Sequence, residues 1–337
     1  MKRIHLLPFD VNTVTHCYPY ISFPYSIIHD NMDLNFEKWQ CGKYINCYFK
    51  ESSQAHKFII SVHDNWSTDK KILKNQVISF SKETFKAFQY NIPLIIKKAL
   101  LSGAYPYIEC SQKYIISNNN DESEESFIHC LINGYDDIRK VYYVNFINPD
   151  NELESCEVEY ERFETALFNN SKRGIHINLW KYNPEAEIVL DLNEIKNDLE
   201  DYFHSKNSKP QYNKDRSFGL QAIADLKSYF LTEAQKRNLL DIKYLRGFLE
   251  HKIFMAERMK YLCSENIIDS DILSHVINVH SLAEKIYKLG IEYNETLETD
   301  KVDELLHLID DTVNIEKSYI SIVINNINEK LKYKPII

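Results

Sequence analysis

The distribution of proline divides this chain before any motif is sought. Of its nine prolines, all but Pro335 lie at or before Pro210. A helix interior rejects proline, because the ring removes a hydrogen-bond donor and collides with the preceding turn. Residues 215–331 are free of that obstacle, and their apolar positions recur with a helical period. Ile242, Leu245, Leu249, Ile253, Ala256 and Met259 form one stripe, and Ile272, Val276, Val279, Ala283, Ile286 and Gly290 a second. Val302, Leu306, Ile309, Val313, Ile320, Ile324, Ile327 and Leu331 form a third, interrupted around Glu316. Such stripes suit an antiparallel helical bundle or a homodimer interface equally.

The residues before about 185 carry the opposite signature, short apolar segments punctuated by Pro and Gly. Strands are predicted over 57–63, 114–117, 127–134, 140–147 and 175–181. Helical spacing over 81–101 breaks at Pro93, and 157–168 predicts a short helix. Residues 118–125 (NNNDESEE) form an acidic loop directly before the 127–134 strand, either a rim over it or a plain solvated loop. The expected fold class is α+β, with one domain over 1–184 and an all-helical bundle over 185–337. Residues 205–214 read as the linker-like part of the boundary.

Several function classes are excluded by what the chain lacks. Among 337 residues there are 7 glycines, and neither GxGxxG nor GxxxxGK[ST] occurs, which removes the usual nucleotide signatures. A net charge of −9 disfavours a nucleic-acid partner, which needs clustered Lys and Arg. The absence of a long apolar run or an export-type N-terminus points away from the membrane and towards the cytoplasm. The seven cysteines contain no CxxC pair, and His251, His275, His280 and His307 have no metal-ligand spacing. Neither a metal nor a bound cofactor is therefore expected.

Three polar residues have the types that thiol chemistry requires. A cysteine attacks as its thiolate and needs a nearby base or a helix N-terminus. Cys17 is followed by Tyr18 and Pro19, and proline is tolerated in a first helical turn. Pro24 is expected to kink or shorten that helix. If residues 136–138 form the bend between 127–134 and 140–147, His129 faces Asn145 directly. Alternation then puts His129, Leu131 and Asn133 on one face with Val141, Tyr143 and Asn145, and Ile128, Cys130 and Ile132 on the other. The candidate set is Cys17 as nucleophile, His129 as base and Asn145 as the orienting amide. His16 would point away from its neighbour Cys17. The backbone N–H of Cys17 and the side chain of Asn12 are the candidate oxyanion donors. The same residues also suit a small buried thiol and an ordinary polar cross-strand pair.

With their surroundings, these residues resemble the butirosin biosynthesis protein H family, whose N-terminal domain is similar to a papain-type cysteine peptidase used for acyl transfer. The resemblance rests on His16-Cys17, on IIKKALLSG at 95–103, and above all on HCLINGYDD at 129–137. The last continues as KVYYVNF at 140–146, followed by 157–167 and 174–181, so the order matches across residues 3–181. The single pattern HxxxxGYDD also suits bacteriocin-processing peptidases of the same fold.

The resemblance implies a papain-like fold for the first domain. It further implies that Cys17 accepts an acyl group from the phosphopantetheine thioester of an acyl or peptidyl carrier protein. His129 would then activate a small-molecule amine acceptor, forming an amide bond in nonribosomal peptide or polyamide antibiotic biosynthesis, closthioamide-type pathways included. Asn145 departs from the family, standing where an acidic residue is common, and Ser111 stands where the preceding strand often has Asp. Two alternatives stay open: a cysteine peptidase that processes a peptide precursor, and a non-catalytic binding protein on the same scaffold.

Overall fold

The computed structural model describes residues 3–32, 35–50, 57–60, 71–81, 91–116, 126–169, 174–208 and 215–332. The chain passes between two compact units, Met1–Asp33 with Asn65–Ala186 and Leu34–Asp64 with Glu187–Ile337. It begins the first with β1 (Ile4–Leu6) and α1 (Pro19–Asn31), then crosses to the second for α2 (Phe36–Cys41), β2 (Tyr48–Lys50) and β3 (Lys57–Ile59). It returns for β4 (Leu73–Phe80), α3 (Ile92–Leu101), β5 (Ala104–Ser111), β6 (Phe127–Asp136) and β7 (Val141–Ile147). β8 (Leu153–Glu159), α4 (Tyr160–Phe168) and β9 (Ile175–Tyr182) complete that unit. The second unit resumes with α5 (Leu192–Phe203), β10 (Arg216–Phe218), α6 (Gly219–Gln235), α7 (Ile242–Ser264), α8 (Ile272–Thr296) and α9 (Thr299–Lys332).

The first unit is an antiparallel sheet in the order β4-β9-β5-β6-β7-β8, with β1 paired to the C-terminal end of β6. Alternation gives the sheet two apolar faces. Ile108, Ile128, Cys130, Ile132, Tyr142 and Val144 lie under α3 and α4, which contribute Ile96, Leu100, Phe163 and Leu167. Tyr105, Tyr107, Leu131, Leu153 and Trp180 lie under α1, which contributes Phe23 and Ile27. Gly134 admits β1 to the edge of β6, since a Cβ there would fall 2.7 Å from the His5 carbonyl oxygen.

Local expectations meet several corrections. α1 runs through Pro24, because the burial of Ile21, Phe23, Ile27 and Ile28 outweighs one missing backbone donor. Tyr114 ends a short 3₁₀ turn, Gln112–Tyr114, instead of opening a strand. Residues 157–159 belong to β8, so α4 starts at Tyr160. β3 ends at Ile59, and the rest of the 57–63 strand, like the 118–125 loop, lies largely or wholly outside the described residues.

The second unit is not all helical, and it does not begin at 185. It includes a small sheet in the order β10-β2-β3, two of whose strands come from the Leu34–Asp64 segment. Polar side chains of the long helix α7 hold that segment. Arg258 donates from Nε to the Cys41 carbonyl at 2.8 Å and from Nη2 to that of Lys43, closing the C-terminal end of α2. His251 Nε2 donates to the Ile45 carbonyl at 2.9 Å. Two further bonds tie the segment to the chain around α5 and α6. Asn46 Nδ2 donates to the Lys206 carbonyl at 2.9 Å, and Gly219 N–H to that of Cys47 at 2.9 Å.

Among α7, α8 and α9 the apolar stripes meet as expected, and Gly290 sits where a Cβ would lie 2.3 Å from Leu245 Cδ1. The interruption at Glu316 is a buried carboxylate. Its Oε2 lies 2.8 Å from Lys252 Nζ and accepts the Tyr202 hydroxyl at 2.8 Å, with both charged side chains 0% exposed. Glu316 Oε1, the Tyr319 hydroxyl and His251 Nδ1 are buried and find no hydrogen-bond partner among the described residues. Among those residues no helix is long and apolar enough to cross a membrane.

Lys252→Met leaves a buried carboxylate unpaired and is expected to cost about 3–5 kcal/mol in urea unfolding. The triple variant Lys252→Met, Glu316→Leu and Tyr202→Phe should recover most of that loss, because apolar groups then replace the ion pair and the Tyr202 hydroxyl bonded to it.

Acid should weaken the same unit. Burial, then the neighbouring Lys252 charge, pushes the His251 pKa well below its ordinary 6.5, despite the bond to Ile45. Below pH 6.5 the unfolded chain takes up a proton that the folded chain refuses. Stability is therefore full above that pH and falls as pH drops towards the folded value. Urea unfolding between pH 7.5 and pH 5 should show this decline, and His251→Gln should flatten it.

Candidate functional site

The α1 face of the sheet carries the residues singled out in the first unit. On β5 and β6 the ladder sets Glu109 directly opposite His129. On β6 and β7 it sets Leu131, not His129, opposite Asn145. The hairpin explains the difference. Asp136 Oδ1 accepts the backbone N–H of Ile138 at 2.8 Å and of Arg139 at 3.1 Å, so the turn begins at Asp136, which pairs with Val141. A bulge between Ile132 and Gly134 then moves the ladder by one position. His129 and Asn145 share a face, as alternation requires, but stand out of register along it.

The amide of Asn145 is engaged within the sheet. Its Nδ2 donates to the Leu131 carbonyl at 3.2 Å and to Asn133 Oδ1 at 3.1 Å, and its Oδ1 accepts the Ser155 hydroxyl. Asn133 in turn donates to the Leu7 carbonyl at 3.1 Å. Asn145 thus ties β6, β7 and β8 together at a position 1% exposed.

His129 is held by other groups. Its ring stacks on Tyr107, with centroids 5.3 Å apart and planes 11° from parallel, and Tyr107 stacks in turn on Trp180 at 4.5 Å and 13°. Nε2 lies 4.0 Å from Glu109 Oε1. Nδ1 is buried and has no hydrogen-bond partner among the described residues. Burial holds the ring below the usual histidine pKa, opposed by the Glu109 carboxylate. Burial thus favours the neutral ring, and its Nδ1 stays unsatisfied among the described residues.

Cys17 is buried, 2% exposed, immediately ahead of Tyr18, the N-cap of α1, with Pro19 in the first turn. Hydroxyl pairs fasten its approach to the helix, Thr15 Oγ1 to Ser22 Oγ at 2.9 Å and Thr13 Oγ1 to Ser26 Oγ at 3.1 Å. His16 is anchored away from the helix. Its Nε2 faces the Thr13 carbonyl at 2.6 Å, and its Nδ1 lies 2.7 Å from Glu152 Oε2 and 3.4 Å from Leu153 N. Asn12 is exposed, and its backbone N–H bonds Asp10 Oδ1 at 2.8 Å.

The sheet register relates these positions to one another. His129 and Ile147 are each the residue beyond the last β6–β7 pair, Cys130 with Phe146, and Ile147 pairs with Leu153. Glu109, His129, Ile147 and Leu153 therefore lie on one row across the sheet. At about 4.8 Å per strand, the strand that anchors His16 is roughly 10 Å from that of His129. A second link runs through rings. Phe23 of α1 meets Tyr107 edge-on at 5.8 Å, and Tyr107 carries His129.

Glu109, Tyr107 and Trp180 escaped the sequence reading. Glu109 is the one charged residue in the β5 segment AYPYIECS, which was the available signal. Among the described residues no three His, Cys, Asp or Glu side chains gather as a metal site. The chain matches no model of a known family, and a search of curated proteins finds no match either.

Asn145→Leu should destabilise the first unit by about 1–3 kcal/mol in urea or thermal unfolding, because Leu131 O, Asn133 Oδ1 and Ser155 Oγ each lose a buried partner.

Proposed function

We propose that the chain is a cysteine-dependent acyltransferase that forms amide bonds, with Cys17 as nucleophile and His129 as base. The observation that carries this reading is the buried Nδ1 of His129, without a partner among the described residues, on the sheet face covered by the helix that Cys17 precedes. The positive end of a helix dipole favours a thiolate, and a neutral imidazole can receive the thiol proton.

In the first step Cys17 Sγ attacks the carbonyl carbon of an acyl thioester carried on phosphopantetheine. The new C–S bond forms, the old one breaks, and the thiol proton passes through His129 to the departing pantetheine sulfur. In the second step an amine nitrogen attacks the acyl-Cys17 carbonyl. A C–N bond forms, the C–S bond breaks, and the amine proton passes through His129 to Cys17 Sγ. Thioester exchange between two thiols is close to isoenergetic, so neither step needs a nucleotide, in keeping with the missing nucleotide motifs. The partners of this reading are an acyl or peptidyl carrier protein and a small-molecule amine, and the papain-like assignment of the first unit belongs to the same proposal.

A non-catalytic binding protein on this scaffold is the second reading. The burial of Cys17 and the engagement of Asn145 within the sheet favour it.

Mass spectrometry after incubation with an acylated carrier protein separates the two. The acyl mass should appear on Cys17, vanish in Cys17→Ala, and be discharged by an added amine. Persistence of the increment in Cys17→Ala, or its absence from the wild type, overturns the reading; cleavage of a peptide without any carrier would make the protein a peptidase instead.

A further inference from the structure

The third member of the expected set has no hold on the histidine, and another carboxylate stands where a hold is needed. Glu109 is the direct cross-strand partner of His129, with Oε1 4.0 Å from Nε2. Opposite residues on neighbouring antiparallel strands bring their side chains together, so this contact is built into the backbone ladder. The plane of the ring is fixed separately, by the stack of His129 on Tyr107 and of Tyr107 on Trp180. Tyr107 and Trp180 are both almost wholly buried, so the stack has a rigid base. Asn145 contributes to neither constraint, since its amide serves Leu131, Asn133 and Ser155.

We propose that Glu109 is the positioning residue for His129, holding the ring proton on Nε2 and leaving the Nδ1 lone pair for the reacting group. The assignment rests on the acyltransferase reading for its purpose, but not for its geometry. A carboxylate beside Nε2 favours a proton there, which makes Nδ1 the basic nitrogen. That nitrogen is the buried one with no partner among the described residues. When the imidazole accepts a proton, the charge forms beside Glu109 and over the Tyr107 ring, both of which stabilise a cation. The Tyr107–Trp180 stack keeps the ring from swinging out, so His129 Nε2 stays on the side that faces the Glu109 carboxylate.

Nitrogen-15 NMR of the full-length protein, with Glu109→Gln beside the wild type, tests the assignment without any acyl substrate. Wild-type His129 should show the Nε2–H tautomer when neutral. Glu109 is the charged group that His129 feels from the strand packed against it, and it raises the pKa. In Glu109→Gln the titration should therefore move to lower pH. Glu109→Asp should restore part of the shift. Transfer of the acyl group from Cys17 to an amine should slow in Glu109→Gln by about ten- to a hundredfold, within what a general base contributes. An Nδ1–H tautomer in the wild type, or a His129 titration unchanged in Glu109→Gln, overturns the assignment. If Cys17 takes no acyl group in either protein while the titration moves as stated, the acyltransferase reading fails and the pairing of Glu109 with His129 stands.

Discussion

The Asp136 carboxylate decides where the central hairpin turns, and the neighbours of every residue on β6 follow from that choice. By accepting two successive backbone N–H groups it makes itself the first residue of the turn and lengthens β6 beyond the expected end of the strand. The bulge before Gly134 then moves the ladder by a single step. Because side chains alternate across a sheet, a slip of one residue would have turned His129 into the α3–α4 core, whereas a slip of two keeps it on the α1 face. The combination of turn and bulge preserves the face and changes the partner. Asn145 is thereby freed from His129 and available to bind Asn133 and Ser155, which seals the strands beside the bulge.

A comparable constraint governs the second unit. The interior of α7 carries His251, Lys252 and Arg258 at positions that water does not reach. Burying such groups is tolerated only when each is bonded, and the partners are supplied from far along the chain: the carbonyls of Cys41, Lys43 and Ile45, and the Glu316 carboxylate. The described part of this segment is thus tied to the helical unit by polar atoms as well as by buried rings such as Tyr44, which stacks on Phe254. Burial also drives the Cys47 thiol in this segment up to about 12, despite the nearby Lys252 charge, so it behaves as a packed side chain and not as a nucleophile.

These two units show which physical signals a sequence carries openly. Apolar periodicity is additive over many residues, so the helices after Gly219 and the two faces of β6 and β7 were legible. Register is not, because it turned on one Asx-type turn and one bulge, each set by single residues within an ordinary hairpin pattern. The membership of residues 34–64 was hidden for a related reason, since side chain to backbone bonds leave no periodic trace. Glu316 looked like a gap in a stripe because a charge is scored as exposed unless its partner is known, and Lys252 lies on a different helix. Glu109 was hidden because the ladder that sets β5 against β6, and Glu109 opposite His129, leaves no mark in either strand's own alternation.

The environment of His129 sets two opposed demands, and their balance bears on the proposed chemistry. Burial disfavours the imidazolium and keeps the resting ring neutral, able to take a proton from a thiol or an amine. A base made neutral by burial alone would be a poor one, because the cation formed during proton transfer would be penalised by the same burial. Glu109 acts in the opposite sense, and so does the face of Tyr107, whose attraction for a cation is worth about 0.5–1 kcal/mol at a partly exposed site. Both lie on the Nε2 side or the ring face, leaving Nδ1 as the edge without a partner among the described residues. Since the proton would travel at Nδ1 while its charge is stabilised elsewhere on the ring, transfer need not break any bond that holds the ring in place. Asn145 could not serve that purpose from its position in the sheet, because an amide already bonded to Leu131, Asn133 and Ser155 would have to abandon buried partners to reach the histidine.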